Sequence, residues 1–272
     1  MKATRGLSAA EAKQFLEKGY VILRGCFKKE AAAVWIDEAY RRMGCDPRDK
    51  KTWKPGDKRE LKGTRGVLIS DFAPRAWEAI CDVVGGEERL RGGRMMQSWS
   101  DSFIVKFPGP KPPRSNPMLE PIHDMHWHKD GPDVQHLDGT DPGLLTYVIW
   151  SDLKAGGGGT MLAPESIAPV CRHWAAHPEG ANKQELPVLP IIRSCREFVE
   201  LTGKAGDVVL AHPAMIHAES DNVSGEPRFF TVRILELAEP MNFNRADKKD
   251  FSLLESVVLR SLGKERLDFK RK

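Results

Sequence analysis

The chain has 272 residues, which is enough for one large domain or two small ones. Its hydrophobic fraction of 40% and charged fraction of 29% are ordinary for a folded globular protein and exclude a wholly disordered chain. A net charge of +4, from 42 basic and 38 acidic side chains, is too small to indicate a nucleic-acid partner.

The first part of the chain alternates between helix and strand patterns. Ser8 opens a capping-box pattern, so we predict a short helix over Ala9–Lys18. The compact apolar run Tyr20–Leu23 predicts a strand. Apolar residues at helical spacing predict further helices over 28–43 and 73–84.

Residues 45–66 differ in composition from the helices that flank them. They are dense in lysine, arginine, aspartate, glycine and proline, which predicts a solvated loop. Ten lysines or arginines and four acidic residues fall within 41–65. The simplest interpretation is a charged surface loop. The alternative is a basic lid over an anionic substrate, such as a compound that carries phosphate or CoA.

Strand patterns dominate from about residue 95 onwards. Continuous apolar, β-branched and aromatic residues at 144–150 predict a strand that is buried on both faces. Further strands are predicted at 102–106, 160–162, 207–210 and Arg228–Leu235, and a closing helix at 251–261. No repeat or linker divides the chain, so we expect one domain over 1–272, a β-sandwich or barrel with flanking helices.

The five cysteines are spread singly and form neither a disulfide framework nor a C-x-x-C zinc site. Reduced thiols are therefore the simplest expectation. The amino-terminal residues lack the apolar run of a signal peptide, and no segment approaches the roughly 18 apolar residues that span a bilayer. We expect a soluble cytoplasmic protein without a membrane partner, and the sequence indicates no oligomeric state.

Eight histidines occur, and four of them lie within residues 123–136. His128 and Asp130 form an H-x-D pattern, whose side chains would lie on the same face of a strand. A third ligand could come from His212 or His217, which follow a predicted strand. Two neutral imidazoles and one carboxylate leave three positions of an octahedral ion open, which suits Fe(II). The alternatives are a surface turn without a metal, or a zinc site.

Arg228 begins the last predicted strand, eleven residues after His217. An arginine held there by sheet packing would lie near the metal. Its planar guanidinium matches a carboxylate through two parallel hydrogen bonds, and a pocket of low dielectric strengthens that pair. The alternative is that Arg228 only marks the end of a strand.

Several short segments occur in a recognisable order between about residues 19 and 236. They are 19–25 (GYVILRG), 106–109 (KFPG), 127–130 (WHKD), 158–166 (GGTMLAPES) and 206–213 (GDVVLAHP), with His217 and Arg228 downstream. In their order and spacing these segments resemble the phytanoyl-CoA dioxygenase (PhyH-like) family of Fe(II)/2-oxoglutarate-dependent oxygenases.

The resemblance implies a mainly β fold with flanking helices, a double-stranded β-helix (jelly roll, cupin-like) with its core at about 19–236. His128, Asp130 and His217 would then bind Fe(II). Arg228 would pair with the distal carboxylate of 2-oxoglutarate, the cosubstrate. Hydroxylation of a small molecule by O2 would release succinate and CO2. The presence of Asp130 favours hydroxylation over halogenation, since halogenating relatives have alanine or glycine there.

Other contacts follow from the resemblance less directly. Family members often carry a small hydroxyl residue two positions after the second metal-binding histidine, where this chain has Glu219. The candidates for further contacts with the cosubstrate are Lys106, Thr160 and Ser220. The candidates for lining the substrate pocket, each of which could instead belong to the core, are Trp127, Trp99, Trp150 and Met161.

Two other functions remain open from the sequence. A catalytically inactive jelly-roll protein could bind an anionic small molecule in its pocket or through its basic loop. A zinc-dependent hydrolase could use the same histidines. The sequence does not identify a substrate, because members of the family act on unrelated compounds.

Overall fold

A computed structural model describes residues 4–93, 96–113, 115–116 and 118–272 of the chain. Its helices are α1 (Ala9–Lys18), α2 (Lys29–Met43), α3 (Ile69–Phe72), α4 (Pro74–Val84), α5 (Ile167–Ala176), α6 (Val188–Ser194) and α7 (Leu253–Leu262). Its strands are β1 (Tyr20–Leu23), β2 (Lys58–Glu60), β3 (Gly66–Leu68), β4 (Ser98–Ser100), β5 (Ile104–Lys106), β6 (Val134–Gln135), β7 (Leu144–Ile149), β8 (Thr160–Ala163), β9 (Ala181–Asn182), β10 (Val199–Glu200), β11 (Val208–Ala211), β12 (Ile216–Glu219) and β13 (Arg228–Leu235). Within these described ranges, no helix has the length and apolar character needed to cross a membrane.

Local sequence signals define the first helix with the predicted bounds. The hydroxyl of Ser8 accepts a hydrogen bond from the Glu11 N–H, and the Glu11 carboxylate accepts one from the Ser8 N–H. This reciprocal pair is a capping box. Gly19 ends α1 with a φ of 70°, a left-handed conformation that glycine adopts without steric cost. The chain then turns directly into β1.

Two antiparallel sheets form the centre of the fold. The larger has the strand order β1-β11-β7-β13-β5-β2, and the smaller has the order β10-β8-β12. Their inner faces meet, since the ring of Tyr147 on β7 lies 6.1 Å from that of His217 on β12. Arg228 on β13 likewise donates a hydrogen bond to Glu219 on β12. The predicted mainly β fold with flanking helices, a double-stranded β-helix, is confirmed.

The outer face of the larger sheet packs against the helices through aromatic side chains. Trp35 of α2 stacks on Trp150 with 4.9 Å between ring centroids. The same cluster contains Phe27, Phe72, Phe103 and Trp99. Trp99 and Trp150 are 1% and 0% exposed. The expectation that these two tryptophans line the pocket is therefore wrong, because both pack within this aromatic cluster, and Trp150, which directly follows β7, lies on the opposite side from Tyr147.

The structure departs from the sequence prediction in segment 45–66 and at three elements farther along the chain. Segment 45–66 is not all loop, because it contains β2, which pairs with β5 at the edge of the larger sheet. A short charged strand is suited to a sheet edge, so its composition does not distinguish it from a loop. The sequence pattern also does not predict α5, α6 or β12. The strand β12 has the sequence IHAE, whose two polar side chains both face the interior between the sheets.

Candidate metal centre

Backbone pairing brings the H-x-D segment beside β12. The N–H of His128 donates to the carbonyl of His217 at 2.9 Å, and the reverse hydrogen bond is 3.0 Å long. The two residues thus form an isolated antiparallel bridge that extends the smaller sheet by one position. Residues directly opposite in an antiparallel pair share a face. The two imidazole rings therefore meet, with 4.5 Å between their centroids.

The donor atoms of His128, Asp130 and His217 converge on one point. The three atoms lie within 4.8 Å of one another, and together they could hold a metal ion. Nε2 of His217 is 3.3 Å from one oxygen of Asp130, and Nε2 of His128 is 3.8 Å from the other. Neighbouring ligands of an ion with bonds of about 2.1 Å lie roughly 3 Å apart. Small side-chain movements would therefore complete the coordination.

Backbone carbonyls select the nitrogen that each histidine offers. Nδ1 of His128 lies 3.1 Å from the carbonyl of His126, and Nδ1 of His217 lies 3.1 Å from that of Met215. When Nδ1–H donates to these carbonyls, both Nε2 lone pairs are left for a metal. Burial and the neighbouring His217 lower the pKa of His128, which favours the neutral ligand form. The donor set fits a divalent cation.

Lys129 holds the turn between the two ligands of the H-x-D segment. Its side chain is buried, and its Nζ donates to the carbonyl of Asp130 at 2.5 Å. The ammonium also lies 4.7 Å from the ring centroid of Trp174. Burial lowers the pKa of Lys129 to about 7. Because successive residues alternate in direction, Lys129 points away from the metal site and into the packing around α5.

Arg228 lies at the other end of the same interior. It is 3% exposed, and it donates hydrogen bonds to the carbonyl of Gly158 and, at 3.1 Å, to the carboxylate of Glu219. Its Nε is buried and has no hydrogen-bond partner among the described residues. Glu219 is two residues from His217 on β12, so both project from the same face of the strand. The metal ligands and a buried guanidinium thus face one space.

Comparison with known families agrees with this arrangement. The sequence profile of the phytanoyl-CoA dioxygenase (PhyH) family matches residues 15–230. The chain belongs to the PhyH family. A curated relative, the ectoine dioxygenase of Bordetella parapertussis, is 24% identical over 252 residues, which cover 84% of this chain and 74% of the relative.

Two of the solved structures that are similar to this chain illustrate the range of the comparison. One is the non-heme alpha-ketoglutarate-dependent carbocyclase SnoK from nogalamycin biosynthesis, which is 17% identical, covers 86% of both chains and gives a TM-score of 0.49. The other is EctD from S. alaskensis with 2-oxoglutarate and 5-hydroxyectoine. It is 18% identical, with 87% of this chain and 78% of EctD covered, and gives a TM-score of 0.48.

The cosubstrate candidates of this PhyH chain differ in their placement. Thr160 pairs directly with Glu219 across β8 and β12, so its side chain shares the face of His217. Lys106 pairs directly with Arg228 across β5 and β13 and lies beside it. The hydroxyl of Ser220 donates to a backbone carbonyl at 2.6 Å, and only its own carbonyl contacts Lys106, at 2.8 Å. Ser220 therefore does not offer its hydroxyl at Arg228, contrary to the expectation.

Two of the predicted pocket residues point away from the metal ligands. Met161 pairs with Ala218, and these two residues project from the opposite face of the smaller sheet to His217. Trp127 donates its indole N–H to a backbone carbonyl at 2.6 Å and packs against Phe198 with 5.3 Å between centroids. The expectation that Met161 and Trp127 line the pocket is therefore wrong, because strand alternation turns Met161 to the other face of its sheet and the Trp127 indole packs against Phe198.

Tyr147 is an interior residue that the sequence analysis did not single out. Its hydroxyl is buried and has no hydrogen-bond partner among the described residues. Burial raises the pKa of Tyr147 well above its usual value, and the nearby charge of Asp130 adds to this shift. Because β7 is largely apolar on both faces, its composition does not show which residues point to the interior. Only the alternation of side chains along the strand could have indicated that Tyr147 points there.

The open side of the site carries apolar residues of β13. Val232 pairs directly with Tyr147, so it lies on the same inner face as Arg228, and Ile234 follows on that face. Both are partly exposed, whereas Arg228 and Phe230 on the same face are buried. Exposure also rises across the metal ligands, from 6% of the His217 side chain to 38% of that of His128. Access from solvent is thus on the side of His128.

The remaining histidines do not join this centre. His212 is fully buried, and its Nδ1 accepts a hydrogen bond from the N–H of Ala214 at 3.1 Å. Burial lowers the pKa of His212 to about 3, so it is a neutral structural residue. A second H-x-D pattern comprises His136 and Asp138, but the carboxylate of Asp138 pairs with Arg271 at 2.9 Å. An H-x-D pattern alone therefore does not identify the metal ligands.

Proposed function

We propose that this protein is an Fe(II)- and 2-oxoglutarate-dependent dioxygenase that hydroxylates a small molecule. The observation that carries the proposal is the convergence of His128, Asp130 and His217 on one point, with the buried Arg228 on the same interior face. Membership of the PhyH family supports it. Each turnover would consume O2 and release succinate and CO2.

The residues divide into two functions at opposite ends of the interior. His128, Asp130 and His217 would hold Fe(II) through three ligands and leave three positions for other groups. Iron with 2-oxoglutarate supplies the oxidising chemistry when bound. Arg228 would hold the distal carboxylate by two parallel hydrogen bonds. Its buried surroundings strengthen that pairing, because little water competes for the guanidinium.

The substrate would approach from the side of His128, where the apolar residues Val232 and Ile234 are partly exposed. This mixture of an apolar wall and a polar centre is typical of small-molecule sites. The similarity to ectoine dioxygenase makes ectoine a first compound to test, together with other small cyclic and acyclic amino-acid derivatives. The basic segment 41–65 makes anionic compounds a second group.

The two alternative functions make different demands on the site. A zinc hydrolase would need no guanidinium behind the metal, whereas Arg228 is buried there at the cost of desolvating a charge. A binding protein without catalysis would need no converging ligand set. Dependence of substrate turnover on O2 and 2-oxoglutarate separates the oxygenase from both alternatives.

The test measures metal binding and succinate release in matched histidine variants. His128→Ala and His217→Ala should each weaken Fe(II) binding and abolish 2-oxoglutarate-dependent succinate release, because two ligands hold an ion poorly. His126→Ala is the matched control, since His126 is an exposed histidine with its ring 5.6 Å from that of His128. It should retain the metal and the activity. Normal succinate release in both ligand variants would overturn the proposal.

A further inference from the structure

Three cationic side chains form a row across the larger sheet. Lys58, Lys106 and Arg228 lie directly opposite one another in the registers of β2, β5 and β13. Directly opposite residues share a face, and like charges in such positions destabilise a sheet. Arg228 is almost fully buried and the Lys106 side chain is only 14% exposed, so water screens their repulsion poorly. The row therefore requires an anionic partner.

Glu219, on the facing sheet, is the carboxylate that all three cations share, whereas Glu60 lies 3.2 Å from Lys58 alone and Asp221 3.8 Å from Lys106 alone. Oε1 of Glu219 accepts a hydrogen bond from Nη2 of Arg228 at 3.1 Å and lies 3.8 Å from Nζ of Lys106. Its Oε2 lies 3.1 Å from Nζ of Lys58. One carboxylate therefore bridges the row, with one oxygen on the buried arginine and the other on a half-exposed lysine.

We propose that Glu219 is an internal counter-ion that occupies Arg228 until the distal carboxylate of 2-oxoglutarate displaces it toward Lys58. This inference rests on the proposed function, since it assumes that 2-oxoglutarate binds at this site. The exchange replaces one carboxylate on the guanidinium by another. The displaced carboxylate keeps Lys58 as a cationic partner, so no buried charge is left unpaired.

The exchange makes binding at Arg228 selective for a ligand that also binds the metal. A simple carboxylate gains little at Arg228, because it replaces an equivalent group that is already in place. 2-Oxoglutarate has a second set of oxygens for the metal, and the free energy of that contact drives the displacement. Glu219 therefore lowers the affinity for 2-oxoglutarate and excludes simple carboxylates from the cationic row.

The experiment measures 2-oxoglutarate binding to the full-length protein loaded with Mn(II), by calorimetry and without turnover. Glu219→Gln keeps the size of the side chain and its hydrogen-bond acceptor but removes its charge. It should lower the Kd for 2-oxoglutarate by about tenfold, which corresponds to ~1.4 kcal/mol. The Kd for 2-oxobutyrate, which has no distal carboxylate, should change by less than about twofold, because this ligand does not reach Arg228.

Lys58→Gln tests where the displaced carboxylate goes. It should weaken 2-oxoglutarate binding by roughly two- to fivefold, because Lys58 is one of three cations beside Glu219 before the exchange and its main partner afterwards. In the Glu219→Gln background the same substitution should have almost no effect. Glu226→Gln is the matched control, since Glu226 is an exposed carboxylate paired with Lys50 at 3.1 Å, and it should bind like the unaltered protein.

The outcomes separate the two proposals. If the Mn(II)-loaded protein and its Glu219→Gln variant both fail to bind 2-oxoglutarate, the proposed function falls, and this inference falls with it. If the unaltered protein binds 2-oxoglutarate but Glu219→Gln binds it equally or more weakly, only the inference falls. An equal gain in affinity for 2-oxobutyrate would also overturn it, because the effect would then not involve Arg228.

Discussion

Replacing Arg228 by methionine tests the cosubstrate end of the site. The substitution keeps a long side chain in the buried position and removes the guanidinium that donates to Gly158 and Glu219. Glu219 retains Lys58 and Lys106 as cationic neighbours, so its carboxylate is not left alone. We therefore expect Arg228→Met to fold but to bind 2-oxoglutarate weakly.

The size of the effect follows from the contact that is lost. A hydrogen bond to a charged group contributes about 1.5–3 kcal/mol. Loss of the guanidinium–carboxylate contact should therefore raise the Kd for 2-oxoglutarate by roughly 10- to 150-fold. The unpaired carbonyl of Gly158 should lower the free energy of unfolding by about 1–3 kcal/mol, which most folded domains can tolerate.

Calorimetry with the Mn(II)-loaded protein gives the Kd, and urea unfolding reports whether the variant is folded. Arg233→Met is the matched control, because Arg233 lies on the same strand but on its outer face, opposite to Arg228. It should leave the Kd for 2-oxoglutarate within about twofold of the original value. A folded Arg228→Met protein that also binds 2-oxoglutarate with unchanged Kd would refute the assignment of this arginine.

Two further predictions concern buried polar groups. Tyr147→Phe removes a hydroxyl that has no partner among the described residues, so stability should stay the same or rise by about 1 kcal/mol in urea unfolding. Binding of 2-oxoglutarate or substrate should nevertheless weaken; a loss of stability without weaker binding would indicate a purely structural role. Glu255→Gln should lower the free energy of unfolding by about 3–5 kcal/mol at pH 7, because the carboxylate is buried against Arg245 and Arg89. Burial tends to raise the pKa of Glu255, but hydrogen bonds from Arg245 and from backbone N–H groups outweigh burial and lower that pKa. The carboxylate therefore stabilises the folded protein fully above its unfolded pKa of about 4.3, and this contribution is lost as the pH falls through the folded pKa. An equal difference in the free energy of unfolding between the two proteins at pH 7 and at pH 3 would contradict this.

Local patterns in the sequence are sufficient for much of the secondary structure. The helix Ala9–Lys18 and the strand Arg228–Leu235 have the predicted bounds, because a capping box and a run of β-forming residues act over a few positions. The edge strand Lys58–Glu60 could not be recognised in this way. Its charged residues are as typical of a loop as of an edge strand, and only its pairing with β5 shows that it is a strand.

The sequence also indicates the kind of site, because the ordered segments resemble the PhyH family and carry the residue types that Fe(II) and a carboxylate need. It does not determine which side chains meet. A second H-x-D pattern is equally good in sequence, and only the bridge between His128 and His217 brings a ligand set together.

Tertiary structure alone decides the contacts that surround this ligand set. It places Glu219 on Arg228, brings Lys58 from the charged segment to the same carboxylate, and buries Trp99 and Trp150 in the core. Composition and periodicity report how each residue relates to its near neighbours along the chain. The partner of a buried charge depends instead on the register between strands that are distant in sequence, and that register is settled only when both sheets pack together.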